Sequence, residues 1–173
     1  PSSRLFELGL HSFANAAVSG PAARPAPPPL RDWFPDGGVL ICRPGAGASL
    51  GAALKGGHNA EHHNHDGLGS FVVALEGQTR LVDPGGEVYT ARTFSSKRYD
   101  SNLLNSFGHP VPYVAGTLQR TGRSAAARVA AAEFTEETDT LILDIRSAYD
   151  VPSLTKLQRK FVFSRQGAGR LTV

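Results

Sequence analysis

Ser70-Phe-Val-Val-Ala-Leu-Glu-Gly-Gln-Thr-Arg-Leu-Val-Asp83 carries the clearest structural signature in the chain. Two short apolar runs, 70–76 and 79–83, are rich in β-branched residues. They flank Leu75-Glu76-Gly77-Gln78-Thr79, which reads as a hairpin turn. The same texture extends outward from Asp32. Further strands are expected at 38–43, 50–55, 87–90, 110–115, 127–134, 140–146 and 157–164, with a last one near Arg170-Leu-Thr-Val173. Leu157-Gln-Arg-Lys-Phe-Val-Phe163 partly alternates, as a half-buried strand does. Ala125–Ala132 is alanine-rich, a composition that favours helix, but is read here as strand. Many short strands punctuated by Gly and Pro predict an all-β fold, an antiparallel multi-stranded β-sandwich.

The N-terminal part differs. Leu5, Leu8, Phe13, Ala16 and Ala17 are roughly helically spaced, so a short helix is expected over 3–18, stopped at Gly20. Pro21-Ala-Ala-Arg-Pro-Ala-Pro-Pro-Pro29 follows as a semi-extended linker, because proline fixes φ and lacks a donor. Residues 1–31 are therefore read as the tail of a helical domain plus a Pro-rich linker, and 32–173 as the sandwich. The chain starts at Pro1 and has no methionine, so it is read as a piece or processed form of a longer protein.

Composition narrows the function classes. Of 173 residues 40% are apolar, enough for one real core. No apolar run approaches the roughly 18 residues of a membrane span, and no secretory leader pattern is present. Net charge is +3 and the pI is about 9.3. This balance fits either a solvated mixed surface or a field favouring an acidic polymer. Lys and Arg form no stripe, which argues against nucleic acid. The one cysteine, Cys42, lies in the apolar run Val39-Leu-Ile-Cys42 and reads as a small buried hydrophobe.

Chemistry concentrates in Gly57-His58-Asn-Ala-Glu-His62-His63-Asn64-His65-Asp66. In an extended strand His63 and His65 would share a face, and two such imidazoles could hold one metal or one substrate. A third ligand is commonly a carboxylate. Asp83 ends the strand Arg80-Leu-Val-Asp83, and the turn near Gly77 would return it toward the histidines. A tight turn gives Asp83 the wrong face parity, so a bulge at Gly67 or Gly69 is expected to restore it. Asp83 before Pro84-Gly85 is equally readable as a turn residue. His109, in Phe107-Gly-His-Pro-Val111, could supply a fourth ligand from another strand or be an ordinary core or surface histidine. His58 and His62 read as surface residues.

Taken together, His63-Asn-His65-Asp66-Gly-Leu-Gly-Ser-Phe71, Val82-Asp83-Pro-Gly85, Tyr89-Thr90, Arg98-Tyr99 and Ser106-Phe-Gly-His109 resemble the C-terminal β-sandwich domain of the heparinase II/III-like polysaccharide lyases. The similarity follows motif order over roughly 32–165 and is most specific from Lys55 to His109. Arg4-Leu-Phe-Glu-Leu-Gly-Leu10 resembles the last helix of the (α/α) toroid that precedes the sandwich in that family. The resemblance implies a super-sandwich fold and β-elimination of uronic-acid polysaccharides in a cleft between toroid and sandwich. It implies that His63 faces substrate and that His65, Asp83 and His109 hold a metal, usually zinc. It further implies a periplasmic or secreted location, inferred from the substrate class. Two positions depart from the family pattern: Asp66-Gly67 stands where Asn-Asp is common, and Pro110 where Asn is common. The family's toroid carries a tyrosine base or acid and an Asn or His that neutralises the carboxylate, and residues 1–31 are read as no more than the tail of such a domain with its linker.

Within that frame His63 is expected as base or carboxylate partner, because imidazole exchanges protons near neutral pH. Tyr89 is expected as proton donor or substrate contact, or else as a sheet-surface tyrosine. Arg98, Arg80 and Asn64 are expected to bind substrate, the arginines by pairing with sugar carboxylates, or to be solvated surface groups. The zinc is expected to be structural. The competing readings are a cupin-like metalloenzyme, since small β-barrels also carry His-x-His with a carboxylate, and a non-catalytic carbohydrate-binding module. A module would need exposed aromatic platforms, and Trp33 is the sole tryptophan.

Overall fold

A computed structural model describes residues 28–173. The helix expected over 3–18 and most of the Pro-rich linker lie outside the described residues.

Ten strands form two five-stranded antiparallel sheets. The first sheet runs in the order β1 (Arg31–Phe34), β2 (Val39–Cys42), β3 (Leu50–Leu54), β5 (Phe71–Leu75), β6 (Gln78–Leu81). The second runs β10 (Arg170–Thr172), β9 (Gln158–Ser164), β8 (Thr138–Asp144), β7 (Gly122–Phe134), β4 (Gly57–Asn59). Among the described residues the only helical elements are short 3-10 turns. The all-β, antiparallel sandwich expected from the sequence is the observed architecture. No helix among the described residues is long and apolar enough to cross a membrane.

The core lies between the sheets because each inner strand buries alternate residues. Along β8, Asp139, Leu141 and Leu143 are buried while Thr138, Thr140 and Ile142 are only half-buried. On β9 Phe161 and Phe163 are buried between less buried neighbours. They meet Leu40 and Cys42 of β2 and Ala52 and Leu54 of β3 in one apolar cluster. Burying side chains of this size stabilises by about 1.5–3 kcal/mol each, so these few positions hold the sheets together. The Cys42 thiol is buried as expected, and burial pushes its pKa up.

The hairpin at 75–78 is a two-residue turn. Glu76 and Gly77 both take positive φ, at 54° and 71°, as a turn matching the twist of its strands requires. The β5–β6 ladder then slips, pairing Ala74 with Thr79 but Val73 with Leu81. Arg80 is the extra residue. The expected bulge therefore exists within β6, not at Gly67 or Gly69.

Two observed strands were not expected, and two expected ones are absent. Arg31–Phe34 and Gly57–Asn59 are strands too short and polar to stand out. Residues 87–90 and 110–115 form no strands. Pro110 and Pro112 cannot donate to a ladder. At 87–90 the hydrogen bonds turn to local side chains: Glu87 accepts from Ser101 Oγ at 2.6 Å and Thr93 Oγ1 at 3.1 Å, and Thr90 N–H donates to Thr93 Oγ1 at 3.0 Å.

Candidate functional site

The chain crosses between the sheets at the same end of the fold through several of its connections. From β3 it passes over Lys55-Gly56 into β4, then through 60–70 back to β5. Gly56 N–H donates to Gly38 O at 3.0 Å, and a Cβ on Gly56 would crowd that oxygen at 3.1 Å, so a side chain there would press the crossing apart. The second return, from β6 to β7, takes the long excursion 82–121. The candidate residues sit on these two connections, except Arg80, which lies on β6.

Past β4, residues 60–66 of the histidine stretch form no strand. Asn64 N–H closes a turn on Glu61 O at 3.1 Å, and His63 adopts a left-handed φ of 57°. Strand alternation therefore does not govern His63 and His65: His63 is exposed, Asn64 buried and His65 half-buried. The expectation that they share a strand face is replaced by two separate settings.

His63 lies against Tyr89. Their rings stack with centroids 5.9 Å apart and planes inclined by 9°, and Tyr89 Oη is 3.4 Å from His63 Nδ1. Tyr89 in turn meets Phe94 edge-on at 5.4 Å. An imidazole and a phenol, a proton acceptor and a proton donor, thus stand side by side on an accessible surface.

His65 faces the interior. Its ring centroid is 5.4 Å from that of His109, and His109 Nδ1 is 2.6 Å from Asp83 Oδ1. Burial pushes the His65 pKa down to about 4, helped by the charges of His109, Lys55 and Arg98 and opposed by Asp83. The ring is therefore neutral at neutral pH, the form that binds a metal. Burial alone would raise the Asp83 carboxyl. Hydrogen bonds from His109 and Ser70 and the charges of His109 and Lys55 outweigh it and hold Asp83 below the usual carboxylate range. Gly67 makes room for His109: a Cβ there would stand 3.3 Å from the imidazole Cγ.

Two buried groups at the site lack partners among the described residues. His109 Nε2 makes no hydrogen bond, and neither carboxylate oxygen of Asp66 does. Burial pushes the Asp66 carboxyl up to about 7, with Lys55 and Arg98 opposing. Burial also lowers the Lys55 ammonium pKa, against the pull of Glu61, Asp83 and Asp66.

The remaining candidates are placed differently from one another. Arg98 gives Nε and Nη2 to Asn64 O at 3.2 and 2.9 Å, and Nη1 to Thr93 O at 3.0 Å. The Asn64 side chain is buried, its Oδ1 3.4 Å from Lys55 Nζ and its amide 3.5 Å from Asn59 Oδ1. Arg80 is exposed on β6 and has no ion-pair partner among the described residues. His58 Nδ1 accepts from Ala60 N–H at 3.2 Å, and His62 is exposed.

Sequence reasoning missed the supports. Gln119 clamps Leu68 on both sides, accepting from its N–H and donating to its carbonyl, each at 2.9 Å. Arg159 Nη1 donates to Gly69 O at 2.8 Å and to Pro110 O, tying the His65 loop to the His109 turn. Nothing local marks Gln119. Arg159 does carry a signal: it shares the inner face of β9 with Phe161 and Phe163, where a charge must have a partner.

The donor chemistry of His65, Asp83 and His109 suits zinc, and the buried, unpartnered His109 Nε2 is the kind of atom an ion satisfies. As placed, however, Asp83 and His109 close on one another at 2.6 Å. That contact uses His109 Nδ1, across the ring from the unpartnered Nε2, so an ion held by Nε2 would lie out of reach of Asp83. Among the described residues no group of three or more His, Cys, Asp or Glu side chains is arranged to enclose an ion. Holding zinc with this set requires the Asp83–His109 contact to open. No protein-family model matches the chain, and no curated protein matches it either.

Proposed function

We propose that this chain forms a metal-bearing sandwich wall in the active site of a polysaccharide lyase, acting on a uronic-acid polymer by β-elimination. The observation that carries the reading is the stacked, accessible His63–Tyr89 pair beside the His65, His109 and Asp83 group.

In such an elimination a base takes the C5 proton, the C4–C5 double bond forms, the C4–O4 bond breaks, and an acid protonates the departing oxygen. His63 would take the proton and Tyr89 would supply one to O4. Arg80, exposed and without an ion-pair partner among the described residues, would pair with a uronate carboxylate. His65, Asp83 and His109 would hold a zinc ion whose contribution is to fix this end of the fold. A preceding toroid domain would supply the opposite wall of the cleft, and the substrate class implies a periplasmic or extracellular setting.

The test mixes the full-length protein with alginate, heparan, hyaluronan and pectate and follows the ultraviolet absorbance of the ring-unsaturated uronate. A rise with any of them supports the lyase; none across the panel sinks it. A second reading, a carbohydrate-binding module, draws on Phe94, Phe107 and Tyr113, which are 70%, 69% and 67% exposed on the same excursion. Binding without elimination would favour it.

A further inference from the structure

We infer that Arg98 is a positioning residue, which sets the turn between His63 and His65 by clamping the Asn64 carbonyl instead of binding a ligand. The inference rests on reading His63 and Tyr89 as the reacting pair. The Asn64 carbonyl belongs to the peptide joining Asn64 to His65. It faces three donors: Arg98 Nε at 3.2 Å, Arg98 Nη2 at 2.9 Å and Tyr99 Oη at 3.4 Å. The third arm of the guanidinium anchors on Thr93 O at 3.0 Å. All three nitrogens of that fork donate to backbone carbonyls.

The clamp sits where the backbone most needs one. His63 holds a left-handed φ of 57°, a conformation a non-glycine residue leaves when nothing enforces it. Asn64, next in sequence, is gripped at its carbonyl by Arg98 and at its side chain by Asn59 and Lys55. The same guanidinium lies 6.0 Å from the Tyr89 ring centre and 5.7 Å from that of Tyr99. Arg98 thus holds the Asn64–His65 peptide, one residue past His63, and lies beside the ring of Tyr89. A lysine keeps the charge but cannot give two parallel N–H groups to one oxygen while a third reaches Thr93.

The test is Arg98→Lys in the full chain, followed by nuclear Overhauser contacts between the His63 imidazole and the Tyr89 ring. The expected result is loss of that contact while the core signals of Phe161 and Phe163 stay unchanged. An undiminished His63–Tyr89 contact in a folded Arg98→Lys protein overturns the inference. If Arg98→Lys does not fold, Tyr99→Phe removes one donor of the three. A weakened contact then supports the clamp, and an unchanged one overturns it. Wherever elimination activity is found, Arg98→Lys should lower kcat about tenfold or more with KM little changed, whereas a substrate contact would raise KM. A wild-type chain inert toward every polymer sinks the lyase reading and leaves the spectroscopic test standing. A retained ring contact sinks the clamp and leaves the lyase standing.

Discussion

Asp83 and His109, 26 residues apart in the chain, meet at 2.6 Å with the imidazole almost wholly buried. One follows a sheet edge and the other a 3-10 turn deep in the excursion, so this contact fastens the two ends of the site to each other.

If zinc is the ion that opens and bridges this contact, His65→Ala should lose metal and melting temperature together. Elemental analysis beside thermal melts checks this. A variant with full metal content and unchanged melting removes His65 from the ligand set.

His63 should matter to turnover and little to folding, because its ring is exposed. His63→Asn is the informative change, since asparagine tolerates the left-handed backbone at this position. Stability should stay within about 0.5 kcal/mol of the parent, while elimination by the full-length enzyme disappears. Normal turnover in this variant would end the catalytic assignment.

Neighbouring residues give opposite pH responses. His65 titrates at about 4 in the fold, below its ordinary 6.5. The unfolded chain therefore takes up that proton first, and stability falls as pH drops through this window. Asp66 titrates at about 7, above its ordinary 3.8. The fold retains a proton that the unfolded chain releases, so stability falls as pH rises from 3.8 toward 7. In metal-stripped protein Asp66→Asn should raise the melting temperature at about pH 8 and give no gain at about pH 4. Equal effects at both ends would show that the Asp66 carboxylate carries no penalty.

Away from the site, the side chain of Asp139 is fully buried and bridges Arg31 at 2.6 Å and Arg165. Arg165 also donates to Arg43 O at 2.9 Å and Leu30 O at 2.8 Å, so the pair fastens the start of the described chain to the sandwich. Asp139→Ala leaves a buried guanidinium unpaired and should cost about 3–5 kcal/mol, read by denaturant unfolding. A loss below about 1 kcal/mol would show that the bridge contributes no more than a surface pair.

The strands that could be read from sequence are those with a repeating reason to be strands. Gln158–Ser164 partly alternates, Phe71–Leu75 is β-branched and apolar, and Glu76-Gly77 supplies the positive-φ turn. Gly122–Phe134 is a strand despite its alanines, because its long pairing with β8 overrides local preference. Gly57–Asn59 has no pattern at all and is a strand only through its register against β7. The contacts of His109 with Asp83 and with His65 join residues that the resemblance groups together. The separation of His63 from His65 did not, because a left-handed residue and a carbonyl held by Arg98 are tertiary facts without a local spacing. Gln119 was hidden for the same reason, since it grips Leu68 by a backbone amide and carbonyl, which every sequence has, whereas Arg159 shows only as a charge on the inner face of β9.

The excursion 82–121 supplies none of the residues of the central apolar cluster; only Val114 packs at its margin. The scaffold and the chemistry are thus separately encoded. The residues this segment presents to solvent can therefore change while Leu40, Leu54, Phe161 and Phe163 keep the two sheets packed.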